Sequence, residues 1–247
     1  KAKAADDTRK LLAGATGTLD KIRNVVVIYL ENRSFDHLYG LFPGANGIAN
    51  AVAGPAGYPP LDRDGLTTLA RLPPVWNASA GPAWSFVSNL PNKPFRIDAL
   101  PGGVPGGGTS VPTPDFVHRF YQSQMQINGG KNNQFAAFSD AGGLTMGYYD
   151  GAAMKLWALA RQYTLADNFF QGAFGGSFLN HFWLICACSP VWPNPPAANI
   201  SSVDASGLRL ALSANSPASA LSGAPAYAAD GNVTPKLADG NHYAINT

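Results

Sequence analysis

The sequence predicts an α/β fold built around a central, mostly parallel sheet. The clearest observation is the run Asn24–Leu30, a continuous β-branched and aliphatic stretch of the kind that forms a strand covered on both faces. A second observation lies further along the chain, where helical patterns at about Asp150–Gln162 and from Ser177 onward flank a short strand pattern at Tyr163–Ala166. Strands that alternate with helices are typical of parallel sheets.

The first predicted strand leads directly into a short predicted helix. Residues 31–40 read ENRSFDHLYG, in which Ser34 is suited to cap a helix and Gly40 to end it. Glu31 and Asn32 therefore fall at the carboxyl end of the strand. Open α/β sheets place their ligands at that end.

The rest of the chain is predicted to alternate irregular and helical segments. Residues 41–110 are rich in Gly and Pro and show no sustained period, so we expect a long excursion that borders a substrate pocket, with a short hairpin near Trp84–Val87. A helix is predicted to begin at Thr113–Asp115, with Pro at its first position, and to end at Gly129-Gly130. The tail at 193–247 has weak periodicity and is expected to be irregular.

Composition excludes several classes of protein. Only 13% of the 247 residues are charged, the net charge is +2 and Lys and Arg do not cluster, so a nucleic-acid partner is not expected. Polar residues and Pro190 interrupt the most apolar stretch, Phe169–Trp192, so no transmembrane segment is predicted. The only cysteines, Cys186 and Cys188, are predicted to be buried thiols, because a spacing of one residue disfavours an unstrained bridge.

Two groups of residues carry candidate chemistry. The carboxylate of Glu31 and the amide oxygen of Asn32, side by side, can hold a hard divalent cation, although the pair also fits a surface acid next to a turn-forming Asn. Ser177 follows two glycines at a predicted helix start, where free N–H groups and the helix dipole favour a phosphate. Asn180 and His181 share its helix face and are candidate substrate-binding residues. The same residues also fit a Gly-Gly loop followed by a serine that only caps the helix, with no role in catalysis.

Together and in this order, the motifs resemble the bacterial phosphoesterase family that contains phosphatidylcholine-type phospholipases C and related acid phosphatases. The resemblance covers about residues 22–40 and 113–192. Its segments are Glu31–His37, Asp115–His118, the Gly-Gly-Lys stretch with Phe135, Met146–Tyr149, Tyr163–Phe170 and Gly175–Ser177 with Asn180.

The resemblance implies an alkaline-phosphatase-like α/β/α sandwich and metal-assisted hydrolysis of phosphoesters. It implies that Glu31 and Asn32 are metal ligands, that Ser177 is the nucleophile and that His118 is an active-site histidine in contact with a phosphoryl oxygen. His118 by itself also fits a packed or surface residue. One divalent ion is expected, and oxygen ligands favour Ca²⁺, Mg²⁺ or Mn²⁺ over metals that prefer soft ligands.

The predicted function is hydrolysis of phosphomonoesters through a phosphoserine, as in the acid phosphatases. The phospholipase members usually carry Thr followed by Pro-Asn-Arg, whereas this chain reads Ser177-Phe178-Leu179-Asn180-His181. The alternative is a phospholipase C that acts on phosphatidylcholine-like phosphodiesters. The first residues, Lys1–Asp7, contain no initiator Met, which fits a mature periplasmic or secreted bacterial chain, although a recombinant chain would start the same way.

The family pattern continues past Thr247 and includes an adjacent Asp-Asp pair that completes the metal site. This sequence has no such pair after Ser177. We therefore expect residues 1–247 to be the N-terminal portion of a single phosphoesterase domain, with the sandwich incomplete. A hypothesis from a different class is an inactive fragment that acts only with a complementary C-terminal chain of the same precursor.

Overall fold

The computed structural model describes residues 21–52, 59–77, 82–99 and 113–247. The chain divides into two compact units, Lys1–Asn32 and Arg33–Thr247. Along the ranges described, no helix is long and apolar enough to cross a membrane.

In the N-terminal unit, the predicted strand Asn24–Leu30 has no regular secondary structure and is not part of a sheet. Its apolar side chains are exposed, with Val25 at 80% and Val26 at 82%. The strand prediction is therefore wrong for the structure described here. A β-strand is defined by hydrogen bonds to a neighbouring strand, and no other described segment pairs with this one.

The second unit contains short helices and one small parallel sheet. The two strands of this sheet, Phe95–Arg96 and Gly147–Tyr148, place Phe95 opposite Gly147 and Arg96 opposite Tyr148. The mixed α/β class with a parallel sheet is thus confirmed, in a small and open form, and the alkaline-phosphatase-like sandwich stays a prediction. The elements are α1 (Phe35–Tyr39), α2 (Ile48–Val52), β1 (Phe95–Arg96), α3 (Phe120–Ile127), β2 (Gly147–Tyr148), α4 (Lys155–Ala160) and α5 (Ser177–Cys186), with 3-10 helices at Pro82–Asn89, Ile97–Ala99, Gly142–Met146 and Ala197–Asn199.

Helix boundaries set by local capping signals are where the sequence predicts them. The N–H of His37 donates to Ser34 Oγ over 3.2 Å, so Ser34 caps α1, and Gly40 ends it. Helix α5 begins at Ser177, as predicted. The position before it, Gly176, is the N-cap, so the hydroxyl of Ser177 is not used as a cap.

The helix predicted to begin at Thr113–Asp115 begins instead at Phe120. Loop contacts engage the backbone that would have formed its first turn. The Val117 N–H donates to Asp140 Oδ1 over 2.8 Å, and the Asp115 carbonyl accepts from Asn77 Nδ2 over 3.1 Å. The predicted end is confirmed, because α3 stops at Ile127, before Gly129-Gly130.

Three further predictions about secondary structure are only partly right or wrong. The helix predicted at Asp150–Gln162 is shorter, at Lys155–Ala160, and is anchored by Trp157, which is buried and donates to the Leu38 carbonyl over 2.9 Å. The strand predicted at Tyr163–Ala166 has no strand neighbour. The predicted hairpin near Trp84–Val87 is part of a 3-10 helix.

The core of the second unit consists of two apolar clusters. The first includes Leu72, Val87 and Tyr149, and the second includes Tyr121 and Phe138. Segments without regular structure therefore carry much of the packing. Hydrogen bonds from one arginine also connect these segments. The Arg63 guanidinium donates to the carbonyls of Ala137, Pro217, Ser219 and Gly223.

The two cysteines form a disulfide and are exposed, so the prediction of buried thiols is wrong. Ala187 between them adopts a left-handed conformation, with φ of 48°, at the C-terminal end of α5. This turn brings the Cα atoms of Cys186 and Cys188 to 5.2 Å, which is within the usual range for a bridge.

Candidate active site

Ser177 is the half-buried first residue of α5. The N-cap residue Gly176 is extended, with φ of −78° and ψ of −175°, and no side chain caps the helix. The first N–H groups of an α-helix have no partner within it, and the helix dipole adds positive potential at that end. This turn is therefore suited to hold the oxygens of a phosphoryl group beside the Ser177 hydroxyl.

Asn180 holds the two glycines that precede Ser177. Its side chain is buried, and its Nδ2 donates to the Gly175 carbonyl over 3.2 Å and to the Gly176 carbonyl over 3.1 Å. Its Oδ1 accepts the Ala173 N–H over 3.2 Å. In this structure the amide positions the loop that precedes Ser177, and substrate binding by Asn180 stays a prediction.

The glycine pair also brings the start of α5 against the segment that carries His118. A Cβ added at Gly176 would lie 2.5 Å from the His118 carbonyl oxygen, and one at Gly175 would lie 3.6 Å from Phe120 Cα. Only a residue without a side chain permits the first of these approaches. Gly176, the residue before Ser177, therefore packs directly against the backbone of His118.

The His118 ring has a defined tautomer. Its Nδ1 lies 2.6 Å from the Phe116 carbonyl oxygen, which can only accept, so Nδ1 carries the hydrogen. In the neutral form of the ring, this hydrogen bond leaves Nε2 as the nitrogen with a free lone pair. The side chain is 45% exposed and Asp115 Oδ1 lies 3.8 Å from Nδ1, so solvent and a carboxylate are both near the ring.

Residues on both sides of His118 are anchored, and sequence reasoning missed these anchors. Asp140 accepts the Val117 N–H, as described above. The Arg119 guanidinium donates to the Asn246 carbonyl through Nε over 2.8 Å and pairs with Asp230 Oδ2 over 2.8 Å. Its partners lie more than 100 positions away in sequence, so no local pattern could have shown them.

The remaining predicted residues are His181, Glu31 and Asn32. His181 lies on α5, four positions after Ser177, and is exposed. Glu31 and Asn32 belong to the N-terminal unit, where Asn32 has a left-handed φ of 76°, a conformation that Asn tolerates better than most residues. Nothing in the structure tests their roles, which stay predictions.

The donor set for a metal is incomplete. Glu31 and Asn32 offer two adjacent oxygen donors of the type that hard divalent cations prefer. Within the ranges that the structure describes, no three His, Cys, Asp or Glu side chains come together in a way that could hold a metal ion. These residues alone therefore do not fit a divalent-ion site.

An uncapped helix start that begins with a serine is suited to bind a phosphoryl group. Residues 22–243 match the Phosphoesterase family, and the chain belongs to that family. This confirms the resemblance read from the motifs.

Curated relatives with significant similarity include two mycobacterial proteins. Phospholipase C A of Mycobacterium tuberculosis (strain H37Rv) is 28% identical over 182 residues, which cover 70% of this chain and 31% of the relative. Phospholipase C B of the same strain is 26% identical over 192 residues, which cover 72% and 31%. The matched region is thus about a third of the length of these relatives. No solved structure is significantly similar to the chain.

Proposed function

We propose that this chain belongs to a phosphoric ester hydrolase in which Ser177 is the nucleophile and His118 is the neighbouring acid–base group. The observation that carries the proposal is the contact of Gly176 with the His118 carbonyl, at 2.5 Å from a would-be Cβ. This contact supports the proposal because it brings the backbone of the segment that carries His118 against the residue that precedes Ser177. Membership of the Phosphoesterase family supports the same chemistry.

The proposed reaction has two steps. Ser177 Oγ attacks phosphorus and loses its proton, while the bond between phosphorus and the leaving alcohol oxygen breaks and that oxygen gains a proton. Water then attacks the phosphoserine, which releases phosphate and restores the hydroxyl. The N–H groups of the first turn of α5 stabilise the charge on the phosphoryl oxygens, and His118 Nε2 accepts or returns a proton.

The first candidate substrate class is the phosphomonoester, as in the acid phosphatases, because a serine stands at position 177. The second is a phosphatidylcholine-like phosphodiester, which the names of the two phospholipase C relatives favour. Initial rates on a small aryl phosphate and on phosphatidylcholine, measured on the same preparation, separate the two candidates.

Three further features are proposed with the activity. One ion of Ca²⁺, Mg²⁺ or Mn²⁺ takes Glu31 and Asn32 as two of its ligands, with further ligands from outside the described residues. The protein is periplasmic or secreted, which the Cys186–Cys188 disulfide supports, since disulfides persist in oxidising compartments. A complementary C-terminal polypeptide completes the site, as the exposed apolar side chains of α5 favour.

The decisive experiment compares Ser177→Ala with Ser222→Ala. Ser222 is an exposed serine in the same unit, so its replacement is a matched control. Phosphoester hydrolysis is expected to vanish in Ser177→Ala and to persist in Ser222→Ala, and mass spectrometry of the quenched parent reaction should find phosphate on the peptide that contains Ser177. Unchanged turnover by Ser177→Ala would rule out the nucleophile assignment.

A further inference from the structure

Asn246 is a fully buried polar residue of the irregular tail, with 0% of its surface exposed. Its backbone is hydrogen-bonded at both groups, since the N–H donates to the Asn232 carbonyl over 3.1 Å and the carbonyl accepts Arg119 Nε over 2.8 Å. Buried polar groups are costly unless they have partners. The segment around Asn246 is therefore held in one arrangement by specific hydrogen bonds.

The side chain of Asn246 caps helix α3 from a distant part of the sequence. The N-cap residue Arg119 makes no side-chain cap, and Asn246 Oδ1 accepts the Tyr121 N–H over 3.0 Å. This N–H belongs to the first turn, whose donors have no partner within the helix. The acceptor usually comes from the N-cap side chain, whereas here it comes from 125 positions away. The cap fixes the start of α3, directly after His118 and Arg119.

The other end of the Asn246 amide is equally constrained. Nδ2 donates to Asp230 Oδ1 over 2.8 Å and to the Gly231 carbonyl over 2.7 Å, and both of these oxygens can only accept. The second carboxylate oxygen of Asp230 pairs with Arg119 Nη1 over 2.8 Å. Asn246 and Asp230 therefore hold Arg119, the residue after His118, between them.

The residue after Asn246 reaches the loop that precedes Ser177. A Cβ added at Gly176 would lie 2.8 Å from the Thr247 carbonyl oxygen and 2.5 Å from the His118 carbonyl oxygen. The backbones of residues 118, 176 and 247 thus meet at one point. Asn246 is bonded to Thr247 and contacts the 118 segment through hydrogen bonds, so it links all three.

We propose that Asn246 is a positioning residue of the active site, which sets the place of His118 relative to the Gly176–Ser177 turn. Because it is fully buried, it acts through Tyr121, Arg119 and the following residue, and not on the substrate itself. The inference rests on the proposed function, in which Ser177 and His118 react with the phosphoester. It adds a residue that the motifs in the sequence do not identify.

The first test is Asn246→Asp, which keeps the size of the side chain. One oxygen still accepts the Tyr121 N–H, whereas the other faces Asp230 Oδ1 and the Gly231 carbonyl and is repelled by both. With an aryl phosphate, kcat per folded molecule should fall by roughly tenfold or more, because His118 is displaced. KM should change by less than about threefold, because the N–H groups of α5 are untouched. Asn215→Asp, at an exposed asparagine, should match the parent chain.

An exchange of the two side chains separates positioning from a general loss of stability. In Asn246→Asp/Asp230→Asn, the amide nitrogen at position 230 can donate to the carboxylate at position 246. The amide oxygen at position 230 can keep the place of Oδ2 beside Arg119 Nη1 and Gln122 Nε2. The exchange should therefore raise kcat by roughly threefold or more above that of Asn246→Asp.

Amide hydrogen exchange tests the cap without catalysis. In Asn246→Ala the Tyr121 N–H loses its acceptor and should exchange faster, by roughly tenfold or more. The Asn180 N–H, which donates to the Gly176 carbonyl within α5, should exchange as in the parent chain.

The inference is overturned if Asn246→Asp loses less kcat than this, if KM rises in step with the loss, or if the exchanged pair recovers nothing. It is also overturned if the Tyr121 N–H exchanges as in the parent, or if both N–H groups exchange faster together. Unchanged turnover by Ser177→Ala is a different result, because it removes the proposed function and leaves the exchange rate at Tyr121 as it was.

Discussion

The backbone of Gly176 lies directly against the carbonyl oxygen of His118, with room for a hydrogen but not for a methyl group, since a Cβ would lie 2.5 Å from that oxygen. This contact joins two motifs that are separated by more than 50 positions in sequence. It explains why a glycine must precede Ser177, independently of any catalytic role of the serine.

Gly176→Ala is therefore expected to damage activity more than folding. The added methyl would lie 2.5 Å from the His118 carbonyl oxygen and 2.8 Å from the Thr247 carbonyl oxygen, so these segments must move away from α5, at a cost of about 1–3 kcal/mol in the free energy of unfolding. A displacement of the 118 segment moves the proposed acid–base residue His118, so kcat/KM on an aryl phosphate should fall roughly 10- to 100-fold. The measurement is steady-state kinetics together with urea unfolding.

The control for this substitution is Gly172→Ala. Its would-be Cβ lies 3.4 Å from the nearest atom, Trp183 Cβ, which is close to ordinary contact. Stability and activity should therefore remain near those of the parent. If both glycine variants behave alike, the contact at His118 does not determine the geometry of the site.

Asn180→Ala removes the side chain that holds the glycine loop. Three backbone groups lose their partner, and the site is buried, so the free energy of unfolding should fall by about 1–3 kcal/mol. The exposed Asn215 provides a matched control, and Asn215→Ala should leave stability within about 0.5 kcal/mol of the parent. Equal urea midpoints for the two variants would contradict the positioning role.

Arg119→Lys tests the anchor on the other side of His118. The guanidinium forks between the Asn246 carbonyl, Asn232 Oδ1 and the Asp230 carboxylate, and a single ammonium cannot reproduce that fork. We expect a loss of about 1–3 kcal/mol in stability and a lower kcat on an aryl phosphate. Arg71→Lys, at an exposed arginine, should change neither, and a matching loss there would refute the anchoring role of Arg119.

Local signals predicted part of the fold, and non-local contacts decided the rest. The Ser34 cap, the end of α3 before Gly129-Gly130 and the start of α5 at Ser177 depend on neighbouring residues, and the structure confirms them. The sequence predicts strands at Asn24–Leu30 and Tyr163–Ala166 from the pattern of apolar and β-branched residues alone. A strand also needs a partner in space, which the described residues do not supply.

The candidate site likewise has one part that the sequence predicts and one part that only the structure shows. The motif identified Ser177 and His118, because residue types and spacing are visible in the sequence. The sequence does not show the contact of Gly176 with the His118 carbonyl, or the ion pair between Arg119 and Asp230. Both contacts depend on how segments that are distant in sequence pack together.

His37 predicts how stability responds to acid. Its ring is buried and stacks on Tyr149, and Arg33 Nη1, which can only donate, lies 3.1 Å from its Nε2. Burial first and the Arg33 charge second lower the pKa of His37 from 6.5 to about 4. Between those values the unfolded chain binds a proton that the folded chain does not, so this contribution is complete above pH 6.5 and is lost as pH falls toward 4. The free energy of unfolding should fall by roughly 3 kcal/mol across that window through this group.

In His37→Gln, which keeps an acceptor for Arg33 but does not titrate, urea unfolding should show a correspondingly weaker dependence on pH. Parallel curves for the parent and the variant would show that the ring does not resist protonation in the folded state.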